Sequence, residues 1–173
     1  MTVLKLGGEL IEDANRLKAI SRVIKQASRS RPLIVVHGGG REIDAALAQV
    51  GIPKRQVDGL RVTDEKTMEI AEMTLSKVGQ DIVQLINTDG ETRAVSLTGK
   101  DGCMLKAKKL KADYDHGFVG DVTEVNTSLL KTLLASENIP VISTIASGED
   151  GQTYNINADV AACKIATALQ ATK

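Results

Sequence analysis

Leu33-Ile34-Val35-Val36 constrains the fold more than any other stretch of this chain. Four consecutive large aliphatic residues follow Pro32 and give way at once to His37-Gly38-Gly39-Gly40. A strand with water on one face alternates apolar and polar residues, whereas a strand covered on both faces carries an unbroken apolar run. LIVV therefore predicts an interior strand of a sheet that is packed on both sides. Helical spacings flank it. Leu17, Ile20, Val23, Ile24 and Ala27 recur at helical intervals before it, and Ile43, Ala46, Leu47 and Val50 do so after it.

The same alternation runs through the rest of the chain. Val3 to Leu6 reads as a first strand. Thr63 or Asp64 caps a long helix whose stripe is Met68, Ala71, Leu75, Val78, Ile82, Leu85 and Ile86, ending near Asn87. Thr92 to Leu97 reads as a strand, and residues 99–125, which include a GKDG turn and a lysine-rich segment, as a hairpin excursion or lid. A helix near Asn126 to Ser136, the strand PVISTI, a GEDG turn and a last helix from Ala158 complete the pattern. Strands alternating with helices predict an α/β fold with a mainly parallel sheet sandwiched between helices, formed as one domain over residues 1–173.

Composition removes several function classes. The 22 basic and 22 acidic residues cancel, and two Tyr, one Phe and no Trp supply little base stacking, so no nucleic-acid partner is expected. No apolar run approaches membrane-spanning length and the N-terminus lacks the apolar core of a signal peptide, so no membrane partner and a cytoplasmic location are expected. Cys103 and Cys163 lack metal-site spacing and read as reduced, semi-buried thiols, and no metal ligand set is expected.

Polar candidates cluster where strands end. Gly7 and Gly8 follow the first strand and HGGG follows the second, so either pair of turns can bring backbone N–H groups against an anion without Cβ interference. Each cluster alone also reads as a tight turn; their parallel placement favours anion binding. Two nucleotide motifs fail: Ile43 stands where a dinucleotide fingerprint needs Gly or Ala, and Ala94 and Asp101 break a P-loop around TGKD. His37, a strand-end His, is assigned no chemistry. Lys5 interrupts an apolar strand next to the Gly7-Gly8 turn and reads either as a solvated edge lysine or as a phosphate-facing cation. Arg61 is either an exposed residue or a bidentate carboxylate ligand. YNINAD also has two readings. As a strand it sets Asn155, Asn157 and Asp159 on one face across about 13 Å; as a strand end and helix start, it makes Asn157 the N-cap and Asp159 a first-turn acid.

Taken in order, VLKLGG, VVHGGG, DGLRVTD, TGKDG, GFVGDVTEVN, IPVI and YNINADVAA resemble the acetylglutamate branch of the amino acid kinase family over nearly the whole chain. HGGG with a strand-end lysine marks the broad family, and GLRVTD with NINAD marks the branch; an aminoadipate-type kinase of lysine synthesis is the nearest competitor. The resemblance implies phosphoryl transfer from ATP, with Mg²⁺, to the side-chain carboxylate of N-acetyl-L-glutamate in arginine biosynthesis. It implies catalytic roles for Lys5 and Asp159, phosphate contacts from Gly7, Gly8 and Gly38, and substrate contacts from Gly38, Gly39, Arg61, Asn155 and Asn157. It implies a homodimer through helix 64–87. Two departures stand out: Arg41 where the family often has proline, and Gly79-Gln80 where Asn-Lys is common. The family's second lobe, which carries the adenine pocket and a further catalytic lysine, would follow the NINAD helix. The expectation is therefore an N-terminal substrate lobe, inactive by itself and binding neither ATP nor Mg²⁺ tightly; a non-catalytic ligand-binding or assembly module is the alternative.

Overall fold

The computed structural model describes residues 1–173. The chain begins β1 (Thr2–Leu6), α1 (Gly8–Glu12), α2 (Ala14–Ser28), β2 (Leu33–His37) and α3 (Gly40–Gln49). A two-stranded hairpin, β3 (Gln56–Val57) and β4 (Leu60–Arg61), leads into α4 (Glu65–Ile86), whose N-cap is Asp64, with its side chain accepting from the Thr67 N–H at 2.8 Å. Then follow β5 (Arg93–Thr98), β6 (Leu105–Lys109), β7 (Gly120–Val125), α5 (Ser128–Ala135), β8 (Asn138–Ser143), β9 (Ile145–Gly148), β10 (Thr153–Asn155) and α6 (Ala158–Ala168).

The expected parallel sheet is present, in the order β1-β2-β8-β5. LIVV lies inside it with every residue buried. Its two faces feed two cores, which is why it is apolar without interruption. Leu33 and Val35 pack with Leu17 and Ile24 of α2 and Val78, Ile82 and Ile86 of α4. Ile34 and Val36 pack on the other side with Leu130 of α5 and Ala161 and Ile165 of α6.

That second face is not covered by helices alone. A mixed sheet of order β10-β9-β6-β7 also lies against it, through Leu105, Ala107, Val122, Ala146 and Tyr154. PVISTI, expected as one strand, is divided at Thr144. Pro140 to Ser143 complete β8 in the first sheet, and Ile145 begins β9, which pairs with β10 and β6 in the second. Within residues 99–125, β6 and β7 pair antiparallel and form part of this second sheet.

Two local expectations are corrected. Val50 is 55% exposed, because α3 ends at Gln49 and the apolar face of that helix stops at Leu47. Cys103 and Cys163 are free thiols on the surface, not semi-buried. Met68, Ala71 and Leu75 of α4 join Ile43 and Leu47 of α3 in a third core cluster, and Val78, Ile82 and Ile86 face the parallel sheet. No helix is long and apolar enough to cross a membrane.

Candidate active site

The C-terminal ends of β1 and β2 lie side by side, Leu6 opposite His37, so the two glycine turns that follow them are neighbours. Beyond these turns lies a crevice of 360 Å³, walled by Gly8, Gly38 and Gly39, by Arg61 and by Asn155 and Asn157. Six of the residues singled out from sequence thus share one cavity. The amides of Gly38 and Gly39 find no acceptor within the chain and are free to meet an anion. A Cβ on Gly39 would lie 2.8 Å from Leu75 Cδ2 and one on Gly38 3.3 Å from Ala158 Cβ, so both positions sit close against helices. Gly7 and Gly8 have open space where a side chain would be, with nothing nearer than Glu12 Oε1 at 3.7 Å from Gly8.

YNINAD takes the strand-end and helix-start form. Asn155 closes β10, pairing with Ile145 and donating its N–H to the Phe118 carbonyl at 2.9 Å. Asn157 is the N-cap of α6, with Oδ1 accepting from the N–H groups of Asp159 (2.9 Å) and Val160 (3.2 Å). The cap occupies Oδ1 and leaves the Nδ2 donors for a ligand. Asn155, Asn157 and Asp159 do not form a single strand face, because the backbone turns into the helix at Asn157. Asp159, next to crevice residue Ala158, meets Lys5 with its Oδ1 3.1 Å from Nζ. Lys5 and Asp159 thus form an ion pair at the rim, beside the glycine turns and not among the crevice walls.

Arg61, whose side chain is only 12% exposed, lies against the second glycine turn. Nη2 donates to the Gly40 carbonyl at 2.7 Å, and Nη1 lies 2.5 Å from Asp44 Oδ1 as an ion pair off the hydrogen-bond axis. Lys54 Nζ meets the other Asp44 oxygen at 2.9 Å. Burial pushes the Asp44 carboxyl up, but Lys54 and Arg61 more than offset that and hold it below the usual carboxylate range. One carboxylate between two cations leaves this cluster with one net positive charge. Sequence reasoning missed Asp44 and Lys54. Asp44 reads as a routine acid early in a helix and Lys54 as a loop lysine, and nothing in their spacing connects them to Arg61.

The family departure at Arg41 also finds a structural role. Its Nη1 donates to Glu12 Oε2 at 2.6 Å and ties α3 to α1, bracing the glycine turns from outside.

Along residues 1–173 the chain matches the amino acid kinase family. It belongs to that family. It is 46% identical to the acetylglutamate kinase of Caldanaerobacter subterraneus subsp. tengcongensis over 99% of this chain and 58% of that protein. With the acetylglutamate kinase of Agrobacterium fabrum it shares 48% identity, again over 99% of this chain and 62% of the other. The chain therefore spans about three-fifths of the length of these curated relatives. Among solved structures, smu.665 from Streptococcus mutans superposes with a TM-score of 0.84 at 28% identity, covering 98% of this chain and 68% of that one. N-acetylglutamate synthase from Neisseria gonorrhoeae, complexed with coenzyme A and L-arginine, gives 0.81 at 24% identity over 97% of this chain and 41% of that one, which is a likeness of fold.

Proposed function

We propose that residues 1–173 are the acyl-amino-acid-binding lobe of an acetylglutamate kinase, an enzyme that transfers the ATP γ-phosphoryl group to the side-chain carboxylate of N-acetyl-L-glutamate in arginine biosynthesis. The observation that carries this reading is a crevice that sets the carboxylate-matched Arg61 beside glycine turns with free amides, with the Lys5–Asp159 pair at its rim. Arg61 takes the α-carboxylate, Asn155 and Asn157 hold the acyl amide, and the Gly38 and Gly39 amides face the reacting carboxylate.

In the transfer, a carboxylate oxygen forms a bond to the γ-phosphorus while the bond from that phosphorus to the β,γ-bridging oxygen breaks, and ADP departs with the electron pair. Lys5 and the free amides of the glycine turns stabilise the negative charge on the equatorial oxygens, and Asp159 holds the Lys5 ammonium in place. The open space over Gly7 and Gly8 fits a phosphate. Mg²⁺ dehydrates reluctantly and is usually held by substrate phosphates, so it is assigned to the nucleotide. When bound, Mg-ATP supplies the phosphoryl group and neutralises its charge. A cytoplasmic location belongs to the same reading.

Calorimetric titration of the 173-residue chain is expected to show binding of N-acetylglutamate and no tight binding of Mg-ATP, and a coupled ADP-release assay no appreciable turnover. Transfer needs positioned cationic groups on both sides of the moving phosphate, and loss of one such partner alone commonly slows a reaction by ~10²–10³-fold. No heat with N-acetylglutamate would remove the substrate assignment, and a preference for N-acetyl-aminoadipate would move the chain to lysine synthesis. Turnover at ~1 per second or faster that vanishes in Lys5→Ala and Asp159→Ala would show that these residues suffice as a kinase.

A homodimer through α4 forms part of this proposal. With its apolar stripe committed inward, contact runs along the outer face, where Met73 is 58% exposed. Light scattering at micromolar concentration is expected to give a two-chain mass, and a monomeric mass overturns the assignment.

A further inference from the structure

His37 is wholly buried at the end of β2, between Leu6 and Ser143 of the neighbouring strands. Its Nδ1 lies 2.9 Å from the Gly38 carbonyl oxygen. A carbonyl only accepts, so Nδ1 carries a proton. Nε2 is buried with no partner, and a second proton there would leave an unpaired charge in the core. Burial accordingly pushes the imidazole pKa down, outweighing the Gly38 carbonyl. The ring is a neutral imidazole with one tautomer selected by one hydrogen bond.

That bond fixes more than the ring. The chain contains no cis peptide, and in a trans peptide the N–H points opposite to the C=O of the same plane. With the Gly38 oxygen drawn inward to His37, the Gly39 N–H is turned outward, and it has no acceptor in the chain. The ring itself is held by close approach of α4. A Cβ on Gly79 would lie 3.1 Å from His37 Nε2 and 2.5 Å from Ser96 Oγ. Glycine weakens a helix interior, so its presence in the middle of α4 reflects this approach. An unsatisfied Nε2 is also unfavourable, which sets the geometry at Nδ1 against the stability that an apolar side chain would bring.

We propose that His37 is a positioning residue of the crevice, whose Nδ1–H locks the Gly38–Gly39 peptide with its N–H presented to the ligand. The inference rests on the crevice being an N-acetylglutamate site, but the lock itself can be read without ligand.

The test uses the ¹⁵N-labelled 173-residue chain. Long-range imidazole spectra at neutral pH are expected to show His37 protonated at Nδ1 and bare at Nε2, with a single sharp Gly39 amide resonance. His37→Asn, whose Nδ2 reaches the position of Nδ1, is expected to keep that resonance and to bind N-acetylglutamate within about threefold of the parent. His37→Leu fills similar volume without a donor and is expected to displace or broaden the Gly39 resonance and to weaken binding by about tenfold or more. A protonated Nε2 in the parent overturns the proposal, and that measurement needs no variant to fold. An unaltered Gly39 resonance or unaltered affinity in His37→Leu overturns it equally. If the parent gives the expected spectra but no heat with N-acetylglutamate, the ligand assignment fails and the lock stands.

Discussion

Arg61→Ala is expected to weaken N-acetylglutamate binding to this chain by roughly 1.5–3 kcal/mol, the range for removing one partner of a charge-assisted hydrogen-bonded pair in a partly desolvated site. Two effects act in the same direction. The ligand loses its guanidinium partner, and Asp44, left paired with Lys54 alone at 2.9 Å, cancels that lysine's charge, so the net positive charge that draws the carboxylate falls to zero. The second effect sets the magnitude near the upper end of the range. It also makes a distinct prediction, that adding Asp44→Asn to Arg61→Ala recovers part of the lost affinity. Arg61→Lys should not substitute well, because a single ammonium cannot serve the Gly40 carbonyl, Asp44 and a ligand carboxylate from one fork. Calorimetry on the folded single and double variants checks all three. Unchanged affinity in Arg61→Ala would remove Arg61 from the binding site.

Gly117→Ala is expected to be the most destabilising alanine substitution at any glycine of the chain. Gly117 has φ +70, and a Cβ there would lie on the Thr63 carbonyl oxygen. The left-handed backbone costs a non-glycine residue roughly 1–2 kcal/mol, and forcing extra atoms into a packed site typically adds about 1–3 kcal/mol. The obstacle is backbone, so no rotamer change relieves it. In a domain of this size, the sum corresponds to a fall in melting temperature on the order of 10 °C. Gly59→Ala is the control: φ is +77 but nothing lies within 4 Å of the added carbon, so only the backbone component, roughly 1–2 kcal/mol, is expected. Equal melting temperatures for the two variants would show that the 110–119 segment shifts freely. Function follows from the same contact. Thr63 donates its N–H to the His116 carbonyl at 2.9 Å and accepts from the Phe118 N–H at 2.7 Å, while the Phe118 carbonyl accepts from Asn155. The segment thereby links the strand pair carrying Arg61 to the strand carrying Asn155, and loosening it should blunt binding as well as stability.

What the sequence determined by itself was local in origin. LIVV had to be an interior strand because both of its faces are apolar, and Asp64, alongside Thr63, and Asn157, alongside a strand reading of YNINAD, were legible as caps because such side chains satisfy amides two or three residues away. The strand-end glycines, the lysine before them and Arg61 were readable as polar residues at points where a sheet opens. Tertiary structure decided what depends on partners distant in the chain. PVISTI divides at Thr144 because β8 completes its ladder with β2 and β5 whereas Ile145 onward pairs with β6 and β10, and an apolar run has no internal mark at which to change sheets. The stripe of α4 has the same period whether it faces its own core or a second chain. The charge balance around Arg61 depends on Asp44 and Lys54, which reach it only after α3 and the following loop have folded back over the crevice. Periodicity and capping act within a few residues, whereas ladder pairing and ion contacts between residues far apart in sequence form only when the chain closes on itself.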